Sequence, residues 1–200
     1  HVASVADLEK GECVDAMERL RDSGKIRYWG ISLFTFNPAP EAEWLMQRGL
    51  GDGFQLVLNI INQKSLPLLK RMKEKEYGII ARMPLQFGLL TGKFSTETKF
   101  SEDDHRKFRL TESIIRESEN MLKPVWSIAE KYGMSKTDLA LAFIFSHPEI
   151  STVIPGIRTA NQAAENAKTS RHLTQLDMEA IHEMYAPVFE KLVDKMKTLG

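Results

Sequence analysis

The sequence lacks the usual means of stabilising a secreted protein or anchoring a membrane protein. Cys13 is the one cysteine among its 200 residues, so no disulfide can form within the chain. No apolar run approaches the roughly 18 residues that a membrane-spanning helix requires, and the first residues carry no secretory signal pattern. These absences predict a reducing, cytoplasmic compartment and no membrane partner.

Charge of one sign is also missing. The chain carries 27 Lys and Arg against 27 Asp and Glu, which gives a formal net charge of zero. A neutral chain has no overall basic field to attract nucleic acid, so we expect no such partner and expect any anionic ligand to be held by local groups. Hydrophobic residues make up 42% of the chain, enough for a globular domain with its own core. Because the sequence starts at His1 and its first residues resemble the inside of a domain, we expect a fragment of a larger protein.

Helical and strand patterns alternate along the chain. Strands are predicted at 25–32, 54–61, 79–81 and 152–154, and helices at 8–21, 38–48, 65–77, 113–131, 136–145, 161–168 and 174–184. The nearly continuous apolar run at 54–61 is typical of a strand covered on both faces, as in parallel sheets. Alternation of this kind predicts an α/β fold with a parallel sheet. Four predicted strands are half the number that closes a parallel barrel.

Two segments stand apart from this alternation. Residues 84–112 show no clear periodicity and are too long for a simple connection, so we predict a functional loop there. Residues 171–200 are predicted to form a tail with one late helix and no role in specificity. The carboxylates and histidine at 102–106 are interpreted as a solvated loop, so no metal site is expected. His147, His172 and His182 show no ligand spacing, and Cys13 is interpreted as a small buried apolar residue.

Three sequence blocks stand at the ends of predicted strands. They are Gly24–Ser32, Met83–Lys93 and Val153–Thr159, the last followed by Gln162, Glu165 and Asn166. In this order and spacing, the blocks resemble the aldo-keto reductase family. The resemblance runs from about residue 1 to 168 and corresponds to strands five to eight of that family's barrel. It therefore implies an α/β fold of the (β/α)8 TIM-barrel type, with residues 1–200 forming the C-terminal half of the barrel.

The resemblance also implies a nicotinamide cofactor, NADP, lying across the carboxyl ends of the strands. By similarity, Ser32 and Gln55 would hydrogen-bond the nicotinamide carboxamide, since an amide needs both a donor and an acceptor. Arg82 occupies a position where many members carry an aromatic ring that stacks on the nicotinamide, and a planar guanidinium can stack as well. Leu33 departs from the family, in which many members have asparagine.

Further positions match the parts of the family site that hold the phosphates and the adenine. The residues matched to the pyrophosphate loop are Pro84, Leu85, Gly88, Leu90, Gly92 and Lys93. Glycines allow close backbone approach there, and Lys93 offers positive charge. Gly156 and Arg158 precede a helix opened by Thr159, an arrangement suited to a 2′-phosphate and hence to NADP over NAD. Gln162, Glu165 and Asn166 match the residues that line the adenine.

The catalytic set of the family is only partly represented. The resemblance implies reduction of an aldehyde or ketone, with a tyrosine giving a proton, a lysine and an aspartate tuning it, and a histidine orienting the carbonyl. His1 is the candidate for that histidine, and the other three have no counterpart in the sequence. We therefore expect the chain alone to bind NADPH without turnover, with a carbonyl substrate and the missing N-terminal half of the barrel as partners. The alternative is a non-catalytic half-barrel interaction module that associates with itself, because two such halves would close one barrel.

Overall fold

Four parallel strands form the centre of the chain. In the computed structural model, which describes residues 2–168 and 171–199, they are β1 (Gly30–Ser32), β2 (Gly53–Val57), β3 (Gly78–Arg82) and β4 (Thr152–Ile154). The strands lie in the order β1-β2-β3-β4, and each neighbouring pair is parallel. The predicted parallel α/β sheet is therefore confirmed. The candidate His1 lies outside the described residues.

Helices precede, connect and follow the strands. They are α1 (Val5–Glu9), α2 (Glu12–Asp22), α3 (Ala39–Arg48), α4 (Leu66–Glu74), α5 (Arg106–Arg109), α6 (Glu112–Met121), α7 (Lys123–Tyr132), α8 (Lys136–Phe145), α9 (Ala160–Lys168), α10 (Gln175–Glu183) and α11 (Glu190–Lys197). A 3-10 turn at Gln86–Thr91 and a π turn at Tyr185–Phe189 complete the described elements. The predicted ends of α3 and α10 are confirmed: Gly49 closes α3 in the left-handed conformation, and the Thr174 side chain accepts from the Asp177 amide.

Four predicted elements differ clearly from the structure in their bounds. The helix predicted at 8–21 is divided into α1 and α2 at Gly11, whose φ of 80° is left-handed. The helix predicted at 113–131 is divided into α6 and α7, with Pro124 in the first turn of α7, where its missing N–H costs nothing. The strand predicted at 25–32 is reduced to its last three residues, and the strand predicted at 54–61 ends at Val57.

The two faces of the sheet are buried to different extents. Ile31, Phe54, Leu56, Ile79 and Ala81 on the outer face are buried against helices. On the inner face, Ile80 is 36% exposed and Ile154 is 46% exposed. The prediction of burial on both faces, made for the run 54–61, holds at Val57, which is 1% exposed on the inner face, whereas β3 and β4 expose Ile80 and Ile154 on that face.

Three glycines start the first three strands side by side. Gly30 is paired with Gly53, and Gly53 with Gly78. A Cβ added at Gly30 would lie 2.1 Å from the Gly53 carbonyl oxygen, and one at Gly53 would lie 2.7 Å from the Gly78 carbonyl oxygen. At Gly78 the nearest atom would be 3.6 Å away. The close approach of β1 to β2 therefore requires glycine at position 30, whereas position 78 has room.

The C-terminal residues contribute to the core. The prediction of a single late helix is wrong, because α11 follows α10 and buries Leu192, Val193 and Met196. Asp177 fixes the start of α10 by accepting from the Tyr132 hydroxyl at 2.6 Å and from Lys131 Nζ at 2.9 Å. These donors hold the pKa of Asp177 low, at about 2. The segment is thus packed and hydrogen-bonded against α7.

Two histidines that are distant in sequence meet in the core. His147 follows α8 and His182 lies on α10, and their Nε2 atoms are 3.2 Å apart. His147 Nδ1 lies 2.9 Å from the Phe143 carbonyl oxygen, so Nδ1 carries the proton and Nε2 accepts from His182. Burial lowers the pKa of both imidazoles, and the neighbouring His182 lowers that of His147 further. Packing thus brings together two histidines whose sequence spacing shows no ligand pattern. Cys13, expected to be buried, is exposed on α2.

This histidine pair predicts a pH-dependent stability. In the unfolded chain the histidines bind protons near their ordinary pKa of about 6.5, whereas the folded pair stays neutral to lower pH. The free energy of unfolding is therefore expected to fall by about 1–2 kcal/mol as pH decreases from 7.5 to 5, as measured by urea denaturation. The decrease begins near the unfolded pKa and ends below the lowered folded pKa values.

Matched variants separate the pair from other histidines. His147→Gln is expected to reduce this pH dependence, and His172→Gln, which changes an exposed histidine, is expected to preserve it. An unchanged pH dependence in His147→Gln would contradict the assignment.

Candidate functional site

A serine and a glutamine lie side by side at the carboxyl end of the sheet. Ser32 ends β1 and pairs in register with Gln55 of β2, so both side chains project from the inner face. Ser32 Oγ donates to Gln55 Oε1 at 2.9 Å. With that proton used, Gln55 Nε2 is left as a donor and the Ser32 oxygen as an acceptor. This donor and acceptor complement a carboxamide, which is the group that Ser32 and Gln55 would bind according to the family resemblance.

Arg82 spans the sheet above this pair. It ends β3 on the inner face, and its Nη2 donates to the Leu33 carbonyl oxygen at 3.2 Å and to Thr35 Oγ1 at 3.1 Å. Because β2 lies between β1 and β3, the guanidinium crosses the carboxyl end of β2. Leu33, the departure from the family, buries its side chain completely and supplies this carbonyl.

The positive charge of Arg82 has no carboxylate partner among the described residues. Burial lowers the pKa of Arg82, and its Nε is buried without a hydrogen-bond partner. Among the residues that the structure describes, no carboxylate forms an ion pair with it. An unpaired half-buried cation of this kind suits a site that receives a polar or anionic ligand.

A cavity of about 710 Å³ opens beside Arg82. The segment after β1, the end of β3, α5 and the C-terminal α11 all contribute to its walls. Arg109 and Lys197 add positive charge, and Glu41 is the acidic residue in the lining. The tail at 171–200 was predicted to have no role in specificity, and Lys197 of that tail lines this cavity. No sequence spacing indicates such a contact, because Lys197 lies almost ninety residues after Arg109, the nearest lining residue outside the C-terminal helix.

A buried asparagine fixes the start of the loop that follows β3. Asn59 Nδ2 donates to the Met83 carbonyl oxygen at 3.0 Å and to Gln86 Oε1 at 2.7 Å. Its Oδ1 accepts from the amides of Ile61 and Asn62. Sequence reasoning missed Asn59. The available signal was an asparagine inside the apolar run 54–61, since a polar side chain in a buried segment requires hydrogen-bond partners.

The predicted pyrophosphate loop is wound tightly on itself. The Gly88 and Leu90 amides both donate to the Leu85 carbonyl oxygen, at 2.8 and 3.2 Å. Gly88 has a φ of 104°, and a Cβ added to it would lie 2.9 Å from the Phe94 ring. The loop conformation itself therefore requires glycine at position 88, before any ligand is considered.

The other predicted loop residues differ in their exposure. Pro84 and Leu90 are buried, and Lys93 is exposed. A Cβ at Gly92 would lie 2.8 Å from Lys136 Nζ, the far end of a flexible side chain. Gly92 thus brings the ammonium group of Lys136 next to the loop backbone, where sequence reasoning considered only Lys93.

The residues predicted to bind the 2′-phosphate lie at the start of α9. Thr159 Oγ1 accepts from the Gln162 amide at 3.2 Å, which confirms the predicted helix opening. Gln162 Oε1 accepts from the Arg158 amide at 2.7 Å. Within the described ranges, the amides of Ala160 and Asn161 and the exposed Arg158 side chain have no hydrogen-bond partner. Two free amides beside a free guanidinium fit an anion.

The other residues of this segment differ in how available they are. Glu165 pairs with Lys168 at 2.6 Å, so its carboxylate is already engaged. Asn166 Nδ2 is buried without a partner, which fits a polar ligand. Gly156 is exposed with no atom within 4 Å of an added Cβ, so its assignment depends on the resemblance alone.

Apart from the loop residues 84–93, which follow β3, the predicted site residues within the described ranges lie in two clusters after the strands. Ser32, Gln55 and Arg82 form the first, and residues 156–166 form the second. Strand pairing places Arg82 opposite Ile154, the last residue before the second cluster's segment. No hydrogen bond or ion pair joins the two clusters within the described ranges.

In residues 2–168 and 171–199, no group of three or more His, Cys, Asp or Glu side chains is arranged to hold a metal ion. No helix in those ranges has the length and apolar character needed to span a bilayer.

The chain belongs to the aldo/keto reductase family, whose model matches residues 6–186. A probable voltage-gated potassium channel subunit beta from Oryza sativa subsp. japonica is 31% identical over 198 residues, covering 90% of this chain and 58% of that protein. L-glyceraldehyde 3-phosphate reductase from Escherichia coli (strain K12) is 28% identical over 178 residues, covering 82% of this chain and 50% of the reductase. The chain thus spans about half the length of the curated relatives it matches.

Solved structures of family members share the fold. A glycerol dehydrogenase from Gluconobacter oxydans matches with a TM-score of 0.70 at 23% identity, covering 86% of this chain and 53% of the other. The holo form of an aldo-keto reductase from Bacillus halodurans matches with a TM-score of 0.70 at 19% identity, covering 92% and 59%. The four parallel strands therefore correspond to part of the family's barrel.

Proposed function

We propose that this chain is the cofactor-binding part, strands five to eight, of an NADP-dependent oxidoreductase that reduces aldehydes or ketones. The observation that carries the proposal is the Ser32–Gln55 pair beneath Arg82 at the carboxyl end of a parallel sheet. Membership of the aldo/keto reductase family supports the reaction class. Residues 84–112 would be the cofactor loop, with residues 171–200 closing the cavity beside Arg82.

The residues present fit NADP in three places. Gln55 Nε2 would donate to the carboxamide oxygen of the nicotinamide, and the Ser32 oxygen would accept from its NH2 group. The Arg158 guanidinium and the amides of Ala160 and Asn161 would hold the 2′-phosphate. Asn166 would offer its free Nδ2 to the adenine.

The bound cofactor would supply the hydride for carbonyl reduction, and the chain's residues would fix the orientation of its nicotinamide ring. A carbonyl oxygen that receives hydride at its carbon also needs a proton. The tyrosine, lysine and aspartate of the family have no counterpart in the sequence of this chain. His1 would orient the carbonyl, and the proton donor would come from the N-terminal half of the barrel as partner.

The expected result is NADPH binding without turnover by the 200-residue chain. Binding is measured by the change in NADPH fluorescence on titration, and turnover by the loss of NADPH absorbance with a generic aldehyde present. Saturable binding with constant absorbance would support the proposal. Steady turnover would refute the claim that the chain lacks a proton donor. Absence of NADPH binding by a folded sample would refute the cofactor site.

A second candidate function is a half-barrel interaction module. The observation that favours it is the open inner face, where Ile80 and Ile154 are exposed, together with the edge strands β1 and β4. Edges of this kind pair readily with another chain. In the same sample, a dimer that does not bind NADPH would favour this candidate, and a monomer that binds NADPH would exclude it.

A further inference from the structure

We propose that Arg82 makes this site select the reduced cofactor, NADPH, over the oxidised form, NADP⁺. The inference rests on the proposed function, because it requires the nicotinamide to lie at the Ser32–Gln55 pair. It adds a determinant of redox-form selectivity that family membership does not supply.

The charge of Arg82 lies at the carboxyl end of β2. The guanidinium is held at Leu33 and Thr35, on the far side of β2 from its own strand. A group bound to Ser32 and Gln55 at the end of β2 therefore lies next to this cation. The hydrogen bonds to the segment after β1 limit the freedom of the side chain to swing away.

The charge of Arg82 is also uncompensated. Glu41 is the acidic residue lining the adjacent cavity, and no ion pair joins it to Arg82 in the described part of the chain. Arg109 and Lys197 add further positive charge to the same lining. Since an arginine side chain stays protonated in proteins, the local field is positive at any working pH.

The two forms of the cofactor differ in the charge of the ring that this field acts on. The nicotinamide of NADPH is neutral, and that of NADP⁺ carries one positive charge. Two like charges a few ångströms apart in a partly buried site repel each other strongly enough to change affinity by about tenfold or more. The neutral ring can stack on the planar guanidinium without this repulsion. NADPH would thus displace NADP⁺ when both are present, and the oxidised product would leave readily.

The test compares dissociation constants for NADPH and NADP⁺, measured by isothermal titration calorimetry with no carbonyl substrate present. In the unaltered chain, NADP⁺ is expected to bind about tenfold more weakly than NADPH or worse. In Arg82→Gln, which removes the charge and keeps a hydrogen-bond donor, the ratio is expected to fall close to one. Arg82→Lys keeps the charge and is expected to retain the preference.

A third ligand separates this inference from the proposed function. 2′,5′-ADP contains the adenine half of NADP without the nicotinamide, so its affinity is expected to be the same in all three proteins. Equal NADP⁺ to NADPH ratios in the unaltered chain and Arg82→Gln, with 2′,5′-ADP still bound, would overturn the role of Arg82 alone. If Arg82→Lys loses the preference for NADPH, stacking of the guanidinium and not its charge would cause that preference, which would also overturn the inference. If the folded, unaltered chain binds neither 2′,5′-ADP nor NADPH, the proposed function and this inference are both overturned.

Discussion

Arg158→Glu is expected to weaken NADPH binding by about 100-fold while changing NADH binding by less than about threefold. The guanidinium of Arg158 is exposed beside the free amides at the start of α9, a position suited to a 2′-phosphate. A glutamate there would replace a charge-assisted hydrogen bond with repulsion between two negative groups. NADH lacks the 2′-phosphate and would not meet that repulsion directly. Fluorescence titration with each cofactor measures both effects.

The matched control for this variant is Arg27→Glu. Arg27 is also exposed, and it precedes β1 at the opposite, amino end of the sheet. Arg27→Glu makes the same change in net charge and is expected to leave the affinities for NADPH and NADH almost unchanged. Equal weakening of NADPH and NADH by Arg158→Glu would refute the 2′-phosphate role, as would an equal effect of Arg27→Glu on NADPH.

Gly30→Ala is expected to lower the free energy of unfolding by about 3 kcal/mol, the upper part of the range for forced overpacking. An added Cβ would lie 2.1 Å from the Gly53 carbonyl oxygen. That oxygen belongs to the backbone of the neighbouring strand, so relief requires β1 and β2 to separate. Urea denaturation of the unaltered chain and the variant measures the difference.

Gly78→Ala provides the matched control. It occupies the same row of strand starts, but its added Cβ would meet nothing closer than 3.6 Å. A change of less than about 1 kcal/mol is expected there. Equal destabilisation by the two variants would show that the approach of β1 to β2 does not depend on glycine at position 30.

Sequence reasoning succeeded where a single segment contains its own signal. The helix predicted at 136–145 and the strand predicted at 152–154 have the same bounds in the structure. The two strands that carry Ser32 and Gln55 were also predicted, although their bounds were not. Because the carboxyl ends of parallel strands meet at one edge of a sheet, predicting parallel strands was enough to place these side chains together.

The reach of the long side chains was decided by tertiary packing. Arg82 was predicted to take the position of a stacking ring, and the structure extends its side chain across β2 to Leu33 and Thr35. The rotamer of Arg82 depends on acceptors in a segment almost fifty residues away in sequence, so no local sequence pattern predicts it.

By itself, the sequence determined the alternation of helices and strands, the parallel sheet, the family, and the matched positions along three strand ends. The tertiary structure alone decided that His147 meets His182, that Cys13 is exposed, and that Lys197 reaches the cavity beside Arg82. Periodicity, glycines and caps act within one turn or strand, whereas these contacts join residues far apart in the chain. They form only when the helices pack, because packing fixes which side chains are buried and which partners they find.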